Sequence, residues 1–151
     1  MSRKDNPERQ ISVLLVEDNP GDVRLIREAF RSLNIDPNFH VVTDGVDAID
    51  YLHASDGNFD IPDLILLDLS LPRKSGLEVL AEIKASPDIR RIPVLILSSS
   101  AADSDIRKSY DLHANSYIVK PADLTQVMTV IKSLSDFWMS TVRLPRLAPA
   151  R

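Results

Sequence analysis

Two hydrophobic periods alternate along this chain, five times over, and that alternation constrains its fold more than any other feature. Ile11–Val16 is a short apolar run rich in branched residues. It is too short for a helix and reads as a strand buried on both faces. Asn19-Pro20 then supplies an N-cap residue and a proline suited to the first helical position. Val23, Ile26, Phe30 and Leu33 follow at helical spacing, and Leu25 and Ala29 widen the stripe. The same two signals recur in Phe39–Thr43 before Val46, Ile49 and Leu52. They recur in Leu64–Leu67 before Leu77, Leu80 and Ile83, where Ser75 and Glu78 stand at capping-box spacing. Pro93–Leu97 precedes a mostly polar helix, capped by Ser100 or Asp103 and ending near His113. Tyr117–Val119 precedes a long last helix, opened by Pro121 and running to about Ser140. Five strand–helix repeats predict an α/β fold, a doubly wound five-stranded parallel sheet with helices on both faces and right-handed crossovers.

Composition removes rivals. A chain of 151 residues fits one domain. It has no cysteine, which excludes a disulfide framework, a thiol nucleophile, a Cys-ligated zinc and an iron–sulfur cluster. The net charge of −4 and a pI near 5.3 argue against a nucleic-acid-binding surface. No run approaches the roughly 18 apolar residues of a membrane span. Met1–Gln10 is charged and lacks the apolar core of a secretory signal, so the expected location is the cytoplasm. Gly21, Gly45, Gly57 and Gly76 form neither a GxGxxG fingerprint nor a P-loop. From Asp44 to Asp68 the acids Asp44, Asp47, Asp50, Asp56, Asp60, Asp63 and Asp68 have no Lys or Arg among them, whereas Arg143, Arg146 and Arg151 are the only charges beyond Thr141. Most of these acids read as a solvated face. His40, His53 and His113 show no ligand spacing and read as surface or partly buried residues.

In a doubly wound sheet, ligands sit beyond the carboxyl ends of the strands. Glu17 and Asp18 follow the first strand, Asp68 the third, Ser98 and Ser99 the fourth, and Lys120 the fifth. Taken singly these residues have plain readings as a polar loop, a turn cap or a surface lysine. Together they place three carboxylates, a hydroxyl and an ammonium on one rim. Clustered carboxylates repel one another unless a cation neutralises them. Mg²⁺ suits them, because it takes oxygen ligands and keeps several waters. One oxygen of Asp68 can then hold the ion while the other attacks phosphorus. Lys120 and Ser98 are placed to bind the phosphoryl oxygens, where transition-state charge gathers.

These residues carry a resemblance. Over roughly Ile11–Leu134 the chain resembles the response-regulator receiver domain, the CheY-like fold. The matching motifs are Leu-Val-Glu-Asp at 15–18, Leu-Leu-Asp-Leu-Ser-Leu-Pro at 66–72 with Ser75-Gly76 following, Ser98 behind Pro93–Leu97, and Lys120-Pro121. The resemblance implies strand order 2-1-3-4-5 and an Asp68 that accepts a phosphoryl group from a histidine kinase. It implies Mg²⁺ held by Glu17, Asp18, Asp68 and the backbone carbonyl of Ser70. Ser98 matches the switch hydroxyl, where Thr is commoner. Ser99 adjoins it, and the spacing after Pro93 favours Ser98. Lys120 matches the family's lysine, Tyr117 its aromatic rotamer switch, and Lys120-Pro121 a site where a cis peptide is usual. A narrower likeness rests on Glu-Asp-Asn-Pro-Gly-Asp at 17–22, Ser-Tyr-Asp-Leu-His at 109–113 and Phe-Trp-Met-Ser-Thr-Val-Arg-Leu-Pro at 137–145. These are similar to the small response regulators that partner cyanobacterial bacteriophytochromes, which implies a phytochrome-type kinase.

The expected organisation is an N-terminal tail over 1–10, a receiver over 11–140 and a C-terminal extension over 141–151. The remainder after Leu134 is too short for an effector domain, so the expected output is contact with a downstream protein. Phosphorylation is expected to draw Ser98 towards the phosphoryl group and turn Tyr117 inward, changing the face made by the fourth helix, fifth strand and fifth helix. The last helix carries a stripe of Leu124, Val127, Ile131, Leu134 and Trp138, with Met128, Val130, Phe137 and Met139 spreading around it. That surplus suggests a homodimer through this helix and the Leu144–Leu147 tail, with a helix end folded back on its own domain as the alternative. Three rivals compete. A haloacid-dehalogenase-like phosphohydrolase usually has a second Asp two residues after its nucleophile, where this chain has Ser70. A flavodoxin needs a Ser/Thr-rich phosphate loop where Glu17-Asp18-Asn19 stands. A degenerate receiver would lack site residues that are present here. The chain thus reads as a phosphoacceptor signalling protein, catalysing only its own phosphorylation and slow dephosphorylation.

Overall fold

The branched apolar runs form strands β1 (Ser12–Val16), β2 (Asn38–Val42), β3 (Leu64–Leu67), β4 (Val94–Ser98) and β5 (Ser116–Val119). Between and after them come α1 (Pro20–Ser32), α2 (Gly45–Ala54), α3 (Gly76–Ala85), α4 (Asp103–Asp111) and α5 (Leu124–Leu134). A π-helical segment, Ser135–Thr141, continues α5. The structure, a computed structural model, describes residues 10–54 and 61–145. The tail before Gln10, Asp56, Gly57, Asp60, Arg146, Leu147 and Arg151 lie outside the described residues.

All strands are parallel, in the order β2-β1-β3-β4-β5. The order reverses beside β1, which makes the carboxyl ends of β1 and β3 the switch point where a doubly wound sheet opens a crevice. Successive residues of a strand face opposite sides. Leu14, Val16, Ile65, Leu67 and Ile96 therefore pack with Leu52, Leu80 and Ile83 on one side. Val13, Leu15, Leu64, Leu66, Leu95 and Leu97 pack with Phe30, Ile131 and Leu134 on the other. This two-sided burial is why the central strands need unbroken apolar runs. β2 lies at the sheet edge, and there Asn38 and His40 are exposed.

Local signals set most helix starts. Asn19 accepts from the Gly21 and Asp22 amides at 2.8 and 3.1 Å, with Pro20 in the first helical position. Ser75 and Glu78 complete the capping box on α3. Two helix starts differ from the sequence reading. α5 opens at Leu124 rather than at Pro121, because the Asp123 side chain takes the Gln126 amide and sets the cap. α4 starts behind Ala102 with no side-chain cap, since Ser100 turns back to accept from the Ala102 amide and to donate to Asp105. Trp138 and Met139, with Met128, pack against their own core, leaving Phe137 half exposed. Asp63 also departs from the solvated reading. It is buried, and its carboxylate accepts from the Ser12 amide at 2.9 Å. No described helix is long and apolar enough to cross a membrane. No peptide bond among the described residues is cis, Lys120-Pro121 included.

Candidate functional site

The backbone ladder carries the site residues to one rim. The Glu17 amide donates to Val42 and the Asp68 amide to Val16, each at 3.0 Å, so both acids leave strand ends at the switch point. The Lys120 amide donates to the Ser98 carbonyl at 2.7 Å, which fixes the end of β5 beside the end of β4. Glu17, Asp18 and Asp68 each offer a carboxylate oxygen, all within 4.8 Å of one another. Glu17 and Asp68 are buried and Asp18 is exposed, so the cluster opens to water on one side. The Lys120 ammonium stands 2.8 Å from Glu17, 2.7 Å from Asp22 and 3.6 Å from Asp68.

Burial pushes the Glu17 carboxyl above its ordinary range, against the pull of Lys120 and the Asn19 amide, and the nearby Asp68 charge adds to the rise. Burial also works against the Lys120 charge, but Asp22 and Glu17 outweigh it and hold the ammonium protonated beyond its usual range. Three acids, Glu17, Asp22 and Asp68, thus share one lysine. The three hard oxygen donors of Glu17, Asp18 and Asp68, with an open side for waters, fit a hard divalent cation.

The loop after β3 is held from two directions. Gly76 donates its amide to the Leu69 carbonyl at 2.9 Å. A side-chain carbon at Gly76 would stand 2.5 Å from Leu69 Cα and 3.0 Å from the Asp68 carbonyl carbon. Only glycine lets α3 come this close to the backbone of Asp68. On the other flank Arg73, with φ of 67°, reaches Asp44 and Asp47, each at 3.1 Å. Asp44 in turn caps the Asp47 amide at 2.7 Å. Ser70 lies in this loop, exposed, two residues past Asp68.

Ser98 is buried at the end of β4 and Ser99 is exposed, which separates the two hydroxyls. The Ser98 hydroxyl accepts from the Ser100 amide at 3.1 Å. Tyr117 packs against the core, and its hydroxyl donates to the Ser100 carbonyl at 2.8 Å. Ser98 and Tyr117 therefore meet at one loop, that of Ser100. The sequence reading missed Asp22. Its signal was available in the Asn19-Pro20 cap, which fixes Asp22 in the first turn of α1, beside the strand end.

The family profile of the response regulator receiver domain matches residues 13–132, and the chain belongs to that family. It is 42% identical over 147 residues to the response regulator Rcp1 of Synechocystis sp. (strain ATCC 27184 / PCC 6803 / Kazusa), a match that covers 96% of this chain and 99% of Rcp1. The crystal structure of the phosphorylated cyanobacterial phytochrome response regulator RcpA superposes with a TM-score of 0.82 at 45% identity, covering 91% of this chain and 100% of RcpA. The Mn²⁺-bound form of Rcp1 superposes with a TM-score of 0.79 at 40% identity, covering 90% and 99% of the two chains.

Proposed function

We propose that this chain is the phosphoacceptor of a two-component relay, and that Asp68 receives the phosphoryl group of a phytochrome-type histidine kinase. The observation that carries the reading is a buried Asp68 between two acids and a lysine at the switch point. An Asp68 oxygen attacks phosphorus, and a P–O bond forms as the P–N bond to the kinase histidine breaks. The departing imidazole nitrogen keeps the electron pair and takes up a proton. Glu17, Asp18, one oxygen of Asp68 and the Ser70 carbonyl would hold Mg²⁺. When bound, the ion neutralises charge on the phosphoryl oxygens. Lys120 supplies a further positive charge beside Asp68. Ser70, in place of a second acid, supports slow loss of the group to water without turnover of outside substrates.

Ser98 and Tyr117 act as the switch through Ser100. Tyr117 already rests against the core and on Ser100, so phosphorylation acts by holding this loop arrangement and raising its population. The readout is the α4, β5 and α5 face, with a downstream protein as its reader. The receiver unit spans 11–140. The half-exposed Phe137, together with the extension over 141–151, supports a homodimer through α5. Ultracentrifugation showing only monomer at tens of micromolar, phosphorylated or not, would sink the dimer. The likeness to Rcp1 and RcpA supports the phytochrome-type kinase.

The test is labelling by acetyl phosphate with Mg²⁺. Wild type takes up one phosphoryl group as acetate leaves, and Asp68→Asn takes up none. Labelling of Asp68→Asn at the wild-type rate overturns the assignment.

A further inference from the structure

We infer that Asp22 is a positioning residue that holds the Lys120 ammonium back from Asp68, and so sets how tightly the site takes a phosphoryl group. The inference rests on Asp68 being the phosphoacceptor. An ammonium has three donors. Two of them are engaged at hydrogen-bond distance, on Asp22 at 2.7 Å and on Glu17 at 2.8 Å, while Asp68 stands 3.6 Å away. The Lys120 backbone is anchored to Ser98, so only its side chain can swing.

The two holding carboxylates are not alike. Glu17 is 1% exposed at the end of β1, with its second carboxylate oxygen accepting from the Asn19 amide. Its position is fixed by the sheet. The Asp22 side chain is 30% exposed, on the first turn of α1. It is the partner that Lys120 can leave at least cost, since water can take the place of the ammonium. A phosphoryl group on Asp68 brings further negative charge and strong acceptor oxygens. Asp22 and that group then compete for one ammonium. Asp22 contributes nothing to the α1 cap through its side chain, because it is the Asp22 amide that Asn19 receives. Replacing Asp22 by Asn therefore leaves the helix start intact and removes the competitor.

Beryllofluoride, a phosphoryl mimic, is titrated by calorimetry with Mg²⁺ into the full chain as wild type, Asp22→Asn, Lys120→Met and the double variant. Asp22→Asn is expected to tighten beryllofluoride about three- to ten-fold, the coupling range of contacting charged residues. In the Lys120→Met background the same substitution is expected to change affinity by less than about two-fold. Equal tightening in both backgrounds overturns the inference, because Asp22 would then act only as a nearby charge. Unchanged or weaker binding by Asp22→Asn overturns it as well. Should Lys120→Met fold poorly or bind too weakly to titrate, the ¹⁵Nζ resonance of Lys120 decides. In Asp22→Asn the resonance is expected to lie, before any ligand, near the wild-type beryllofluoride-bound position. A resonance unmoved by the substitution refutes the inference. Beryllofluoride binding by Asp68→Asn would instead refute the phosphoacceptor reading itself.

Discussion

Gly76→Ala tests how closely the acceptor loop is held. The added methyl carbon would stand 2.5 Å from Leu69 Cα, against about 3.4 Å for ordinary contact. Relief requires a shift of at least about 0.9 Å, since the Asp68 carbonyl oxygen lies closer still, and the opposing atoms are backbone, which cannot rotate away. Gly76 does not have a left-handed φ, so alanine loses nothing in backbone conformation and gains up to about 1 kcal/mol in helix propensity. Overpacking of this kind costs about 1–3 kcal/mol. The net loss is therefore no more than about 3 kcal/mol, small enough for a domain of about 5–15 kcal/mol to remain folded. The displaced atoms belong to Asp68 and Leu69, and a misplacement of about 1 Å can cost about a hundredfold in rate. Urea unfolding should show a lower midpoint with an unchanged slope. Acetyl phosphate labelling should slow by about ten- to a hundred-fold. Gly21→Ala is the control, since its added carbon meets only the Asn19 side chain, at 3.1 Å. A Gly76→Ala protein with the wild-type midpoint and labelling rate would refute the claim that this close approach fixes Asp68.

Three further substitutions probe other contacts. Asp63→Ala strands the buried Ser12 amide and should cost about 1–3 kcal/mol in urea unfolding, with labelling at Asp68 unchanged because Asp63 lies at the opposite end of the sheet. Tyr117→Phe keeps the ring but loses the bond to the Ser100 carbonyl, worth about 1 kcal/mol, so amide exchange over residues 99–102 should quicken about five-fold. The Asp47 amide, and then Arg73, hold the Asp44 carboxyl below its usual value of 3.8. The folded chain thus binds that proton less tightly than the unfolded one, and the contribution is whole above pH 3.8 and lost as pH falls through the lower folded value. Urea midpoints between pH 5 and pH 2 should fall more steeply for wild type than for Asp44→Asn. Parallel curves would contradict this.

The strands were legible because β1, β3 and β4 are buried on both faces, and two-sided burial leaves an apolar run that a single sequence displays. Glu17, Asp68 and Lys120 were legible for a related reason, as charges standing directly behind such runs. The partners of Asp22, Asp44 and Asp63 were not. Asp22 meets a lysine 98 positions away, and Asp44 an arginine 29 positions away. Charge counting treats Asp22, Asp44, Asp63 and Asp50 alike, and only the fold gives the first three their partners. At α5 two start signals competed, and the Asp123 side chain prevailed over Pro121 by offering an acceptor to the Gln126 amide. The π segment was hidden because seven residues are too few to separate an i→i+5 register from an α-helical one.

Lys120 also bears on how the chain is made. The acids of the rim meet a positive charge supplied by their own polypeptide, whose local concentration is set by connectivity and not by the surroundings. A nascent chain can therefore close its sheet without waiting for an ion to quench repulsion between Glu17 and Asp68. A cation that arrives later adds to an existing charge instead of rescuing an unstable site. Stripping divalent ions should then leave the urea midpoint where it stands, and any loss of labelling at Asp68 should return when the ion is restored.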